Sequence, residues 1–282
     1  MVTKNTFAAL VVLGLFALAF FLLSPGVEAV DPTGANVSDI RTETAPNDTA
    51  GSDDALAGNI SELTIFAFTT TQTWQGYVGN VTGTVQLADS TDDVLYNWSL
   101  ANPEGEIYAS TNVTIQWREI QCLNYSANGT AVLNTSAAFM GETAGGVNIG
   151  GLNLSTIESM YNIAPGDVDG LNETFWLYNV TSGAGNGAGE HDEFFTANLQ
   201  FTEGECISTR VFGNTSIGLN NEFEEVLLYE PTTMSIVFTS LLEEGSVLGY
   251  DQNDYDFEML VLEDGHGTDT DTLTYYFFVE LE

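Results

Sequence analysis

Val94-Leu-Tyr-Asn-Trp-Ser-Leu100, then Asn102-Pro-Glu-Gly105, then Glu106-Ile-Tyr-Ala-Ser110 is the stretch that decides the fold. Two short runs rich in β-branched and aromatic residues flank a turn signal, which predicts a hairpin. Upstream, Tyr77 to Leu87 alternates, with Val81, Val85 and Leu87 on one face and Thr82, Thr84 and Gln86 on the other. That period of two belongs to a half-buried strand. Leu63-Thr-Ile-Phe-Ala-Phe68 is also β-rich, and Val113 to Trp117 leads to Cys122. Downstream, strands are predicted at 198–202, 207–212, 225–229, 233–238, 255–262 and 273–281. Short strands joined by polar turns give an all-β fold, mainly an antiparallel β-sandwich of immunoglobulin-like or jelly-roll-like type.

Between the two cysteines the pattern changes. Residues 126–195 are expected to be an insertion or long crossover, Gly-rich at Gly145-Gly146, Gly150-Gly151 and 182–189. One short helix is predicted there, Thr156 to Asn162, capped by Ser155 with Glu158 at its third position. Cys122 and Cys206, an even pair, predict one disulfide. In the loop-entropy model such a bridge contributes roughly 4 kcal/mol.

The beginning of the chain reads as a targeting segment. Phe7 to Leu23 is apolar apart from Gly14, and Val27-Glu-Ala29 fits a signal-peptidase site. Residues 1–29 are therefore expected to be a cleaved signal peptide or an uncleaved signal anchor forming an apolar helix, with a pilin-type leader as a third option. Each option puts Val30 onward outside the cytoplasm. Residues 30–61 are rich in Asp, Thr, Ala, Gly and Asn and are expected to form a disordered stalk. The folded ectodomain is expected over 62–282.

Charge bounds the partners. Forty acidic residues face four basic ones, Lys4, Arg41, Arg118 and Arg210, for a net charge of −36. So large a charge adds self-repulsion, which molar salt screens to a Debye length of about 3 Å. The pattern reads as adaptation to high salt, with an ordinary acidic secreted protein as the alternative. It excludes nucleic acid, which needs clustered Lys and Arg, and leaves the N-terminal segment as the expected membrane contact.

Sequons support export. Thirteen of the 22 asparagines precede x-Ser/Thr: Asn36, Asn47, Asn59, Asn80, Asn97, Asn112, Asn124, Asn128, Asn134, Asn153, Asn172, Asn179 and Asn214. They are candidate N-glycan acceptors, although Asn-Gly and Asn-x-Thr are also turn chemistry.

Few residues offer site chemistry. Asp251, Asn253, Asp254 and Asp256 place oxygen ligands at nearly alternate positions, as calcium loops do. Calcium is the one cofactor the chain points to. Asp167-Val-Asp-Gly-Leu-Asn172 resembles half an EF-hand loop, and Asp264 to Asp271 is a looser candidate. Solvated acidic turns are the competing reading of all three. His191 and His266 with a carboxylate would suit a metal, or they are turn histidines. No Gly-x-Ser-x-Gly elbow is present, and paired carboxylates for glycoside hydrolysis are available everywhere. Trp74, Trp98, Trp117 and Trp176 form either a sugar-stacking face or core, and Trp98 and Trp117 are expected in the core.

Several stretches, namely Trp74 to Gly83, Tyr96 to Leu100, His191 to Phe194, Phe223 to Tyr229 and Tyr255 to Asp264, resemble exported or membrane-anchored surface proteins of small-genome, often halophilic, archaea. The resemblance covers about residues 62–282. It implies location and lineage, and it assigns no catalytic residue. The expected role is that of a structural or adhesive cell-surface glycoprotein, an envelope component or filament subunit that associates with itself or with other surface proteins or glycans. In the filament version Leu63 to Phe68 would insert into a neighbour's sheet. A calcium- or glycan-binding module and a secreted hydrolase of surface polymers are the alternatives.

Overall fold

The computed structural model describes residues 30–38, 41–44, 49–67, 69–91, 93–100, 102–125, 131–134, 154–164, 166–175, 191–211, 223–243, 245, 247–264 and 272–281. The apolar run Phe7 to Leu23 lies outside them. In chain order the strands begin with β1 (Thr33–Gly34), β2 (Trp74–Gly79), β3 (Thr84–Ala88), β4 (Val94–Ser99) and β5 (Gly105–Ser110). A 3-10 turn at Trp117–Glu119 precedes β6 (Gln121–Tyr125) and β7 (Ala131–Asn134). Two short helices follow, α1 (Leu154–Met160) and α2 (Leu171–Thr174), then β8 (Phe194–Thr196), β9 (Leu199–Phe201) and β10 (Ser208–Val211). The remainder is β11 (Phe223–Glu230), β12 (Ser235–Leu241), β13 (Val247–Leu248), β14 (Asp254–Tyr255), β15 (Phe257–Leu262) and β16 (Tyr276–Leu281).

Every strand pairing among the described residues is antiparallel. The main sheet runs β1-β16-β5-β12-β11-β6-β7, with β10 also paired to β11. Its centre is β11, buried at all eight positions. Side chains alternate between two cores, as strand geometry requires. Leu227 and Tyr229 of β11 join Ile236 and Phe238 of β12 on one face. Val226, Leu228 and Val237 point to the other. The ribbon β2–β15 and the two helices supply Met259, Val261, Leu154, Ile157 and Leu171 to the first core. Trp117 and the β8–β9 hairpin supply the second.

Several expectations are corrected. The Asn102 to Gly105 hairpin does not form: β4 pairs with β3, and β5 pairs with β12 and β16. β5 is buried on both faces from Glu106 to Ser110, so it needs neighbours on both sides that a local turn cannot supply. Gly105 serves another purpose. Its φ is +120°, and a Cβ there would lie 2.2 Å from the Glu280 carbonyl oxygen, so glycine lets β16 approach. Within 126–195, β7 extends the main sheet and α1 and α2 close the first core. The helix begins at Leu154, earlier than predicted. The Glu158 carboxylate accepts the amide of Leu171, capping α2 rather than its own helix. The stalk is also partly structured. Thr33 and Gly34 pair with Val279 and Phe278, because edge strand β16 offers backbone groups that any short extended segment satisfies.

Candidate functional site

The scarce cations fix the geometry of the body. Arg41 meets Asp251 at 2.5 Å, Arg118 meets Asp31 at 3.6 Å, and Arg210 meets Glu224 at 2.5 Å. Arg210 and Glu224 are also direct partners between β10 and β11. The first two pairs tie residues 31 and 41 to the body.

The predicted calcium loop is the turn of the β13–β14 hairpin. The structure does not bring its four residues together as a cage. The Asp251 carboxylate accepts from the Arg41 guanidinium, the Asn253 amide and side chain, and the Tyr255 hydroxyl. Burial alone would raise this carboxyl, but those hydrogen bonds outweigh it and hold it at about 2. Asp256 turns the other way and accepts the Val81 amide at 2.7 Å. Asp254 lies exposed in β14. Asp251 and Asp256 already have protein donors, a cation among them, so their spacing serves turn closure. In the Asp167 to Asn172 run, Asp169 accepts the Thr71 hydroxyl, and its carbonyl accepts the Trp74 indole N–H. Among the described residues no three or more His, Cys, Asp and Glu side chains are grouped to hold a metal. Asp264 to Asp271 lies largely outside those residues.

His191 is fully buried. Its Nε2 accepts the Cys206 amide at 2.9 Å, so Nδ1 carries the proton and faces the Asp192 carbonyl at 2.7 Å. Burial pushes its pKa down despite the carboxylates around it. The ring is neutral, and it positions backbone. His266 lies outside the described residues, and so does Trp176. Cys122 and Cys206 form the expected disulfide, Cα atoms 5.0 Å apart. It sits where two short strands share one edge of β11: β6 pairs with Leu228 and Tyr229, and β10 pairs with Phe223 to Val226. The bridge staples that junction, and His191 holds the same spot from the side.

Glu106 and Glu280 face one another across β5 and β16. The Tyr108 hydroxyl lies 3.5 Å from Glu106 and 3.2 Å from both Glu280 and Thr196. The Ala197 amide donates to the same Glu280 oxygen. Burial first, and then the two carboxylates, push the Tyr108 hydroxyl far up. The carboxylate pair therefore latches the β8–β9 hairpin onto the sheet.

The four tryptophans divide. Trp117 is buried against Tyr108 and Phe278, as expected, and Trp74 packs on Phe175 and Phe238. Trp98 does not enter the core and is 49% exposed. It belongs to the β3–β4 ribbon, whose strands are exposed along their whole length. Cross-strand register sets Val85 opposite Trp98 and Leu87 opposite Tyr96. These four side chains share one face, with the Tyr96 and Trp98 ring centroids 4.8 Å apart. The other face carries Thr84, Gln86, Asn97 and Ser99. Asp89 closes the tip by accepting the Thr91 and Asp93 amides. At the root, Gly83 leaves room for Leu281, whose Cδ1 lies 2.2 Å from where a Cβ would stand. The alternation at Val85 and Leu87 signalled an amphipathic strand; nothing local signalled that its apolar face is uncovered.

The described sequons also divide. Asn36, Asn59, Asn80 and Asn97 are exposed, while Asn112 and Asn172 are half-buried. Asn112 donates to the Ser235 hydroxyl and accepts the Thr114 amide. The side chains of the other seven lie outside the described residues. Leu63 to Ala67 is exposed and without strand structure. Comparison of the chain with protein-family models, with curated proteins and with solved structures found no match.

Proposed function

We propose that this chain is an exported, acid-rich surface glycoprotein with a structural or adhesive role, and that the β3–β4 arm makes its contacts. The observation that carries the reading is the arm's bare apolar face, Val85, Leu87, Tyr96 and Trp98. A lone two-stranded ribbon is marginal in water, and an exposed apolar face with open strand edges favours association. The sequon Asn97 lies on the opposite face, so a glycan there leaves the apolar face clear. The occupant of that face is a second copy of the chain. At molar salt the repulsion between two bodies of charge −36 is screened, and burial of the aromatic pair drives contact. We read the β2–β15 ribbon over the main sheet as the second layer of a β-sandwich, presenting the arm outward.

Light scattering of the full chain at molar salt tests this. The expected mass exceeds that of a monomer and returns to it in the Tyr96→Ser/Trp98→Ser double variant. A strictly monomeric protein that also binds no cell surface would overturn the proposal.

A further inference from the structure

The outer edge of β16 is closed by very little. β1 is the one strand on that edge among the described residues, and it pairs only at Thr33 with Val279 and Gly34 with Phe278. The Ala35 amide adds one bond to the Phe277 carbonyl. Of residues 30–38 only Pro32 is buried, so little apolar burial holds this stretch in place. Two ion pairs at the surface flank it, Arg118 with Asp31 and Arg41 with Asp251.

Three features make this closure exchangeable. Exposed ion pairs contribute little to stability, and molar salt screens them further. Residues 35–73 join β1 to β2, and the described part of that connection holds no helix or strand. Fully extended, a connection of this length reaches roughly 130 Å. The third feature is position. Leu281, the last residue of β16, packs over Gly83 at the root of the β3–β4 arm, so the arm and the β1 site share one strand.

We infer that two copies exchange β1, each laying Thr33 and Gly34 on the β16 edge of the other. This rests on the arm contact proposed above: the arm brings two copies together at high salt, and the exchange locks them. The incoming strand is identical to the resident one, so each backbone bond that is broken is remade. Strand addition at a thinly covered edge is a common route of association. Once exchanged, the copies cannot part until both strands withdraw, which slows dissociation. At low salt the repulsion between bodies of charge −36 keeps each β1 at home.

Cysteine trapping on the full chain tests this. Thr33→Cys and Val279→Cys are made as separate variants, mixed at molar salt and oxidised. The native pair Cys122–Cys206 is buried and already bridged, so it does not interfere. A covalent dimer joined between positions 33 and 279 is expected, at least tenfold above either variant alone and at least fivefold above the yield at about 0.1 M salt. Both substitutions in one chain, oxidised at low salt, should close the bridge within that chain, which shows that the fold accepts them. That closed form cannot exchange, and its assemblies at molar salt should part on dilution at least tenfold faster than those of the wild type. If light scattering shows assembly at molar salt but the mixture gives no dimer joined between 33 and 279, the exchange is overturned and the arm reading stands. If nothing assembles, both fall. Equal dimer yields in the mixture and in the single variants would mean chance collision and overturn the exchange as well. In the Tyr96→Ser/Trp98→Ser background the mixed dimer should vanish, and an undiminished yield would overturn the link between arm and exchange.

Discussion

Val85 lies directly across from Trp98 in the β3–β4 arm, and both side chains face solvent. A cross-strand pair of an aromatic and a β-branched residue contributes roughly 0.2–1 kcal/mol to a sheet, too little to make a lone ribbon rigid. Trp98→Ser should therefore cost the body under about 1 kcal/mol, leaving thermal unfolding by circular dichroism nearly unchanged. The same substitution should lower association at molar salt at least tenfold. A large fall in thermal stability would mean that the arm is part of the core.

Glu258 predicts an inverted pH response. Burial raises its carboxyl from 4.5 to about 7, although the Tyr250 amide bonds to it. The folded state then binds a proton that the unfolded chain releases, so this group's contribution to stability falls from pH 4.5 to about 7 and is level above that. The loss is on the order of 1–3 kcal/mol. Glu258→Gln keeps the acceptor oxygen and should flatten that slope in chemical denaturation at stepped pH. An unchanged slope would place the titration elsewhere.

His191 acts in the opposite sense. Its pKa is lowered by burial, so its contribution is complete above the ordinary histidine value and is lost as pH falls below it. His191→Gln retains an acceptor for the Cys206 amide and should remove this acid-side loss. Glu258 and His191 therefore pull the stability curve between pH 5 and 7 in opposed directions, and the two variants should tilt it in opposite directions.

Cys122→Ser/Cys206→Ser should cost about 4 kcal/mol. The first amides to lose exchange protection should be those of β6 and β10, where the two strands share the edge of β11. Uniform loss across the sheet would show that the bridge acts on the unfolded chain alone.

Gly105→Ala should destabilise by on the order of 2–4 kcal/mol, because the new Cβ meets the Glu280 carbonyl and φ is +120°. A shift in urea midpoint at constant slope is the expected readout.

Much of the architecture was legible in the residues. The strand expected at 225–229 is there within β11, the buried centre of the sheet. Cys122 and Cys206 pair as their number required. Pairing partners were not legible. Glu106 to Ser110 finds its neighbours at 235–241 and 276–281, and a turn signal at 102–105 carries no information about either. Amphipathicity at Val85 and Leu87 was visible, but the coverage of a face depends on the reach of another layer. The acidic loop could not reveal that Arg41 and Val81, far away in the chain, also donate to Asp251 and Asp256.

β16 lies between β1 and β5, and this placement sets an order of events. Until residues 276–281 have been synthesised, β5 has one open flank and Thr33–Gly34 has no strand to join. Contacts so distant in sequence close slowly, since the chain must first lose the entropy of a very long loop. The sheet therefore behaves as a clasp that β16 snaps shut, and the flank of β5 stays pliable until that strand has been made.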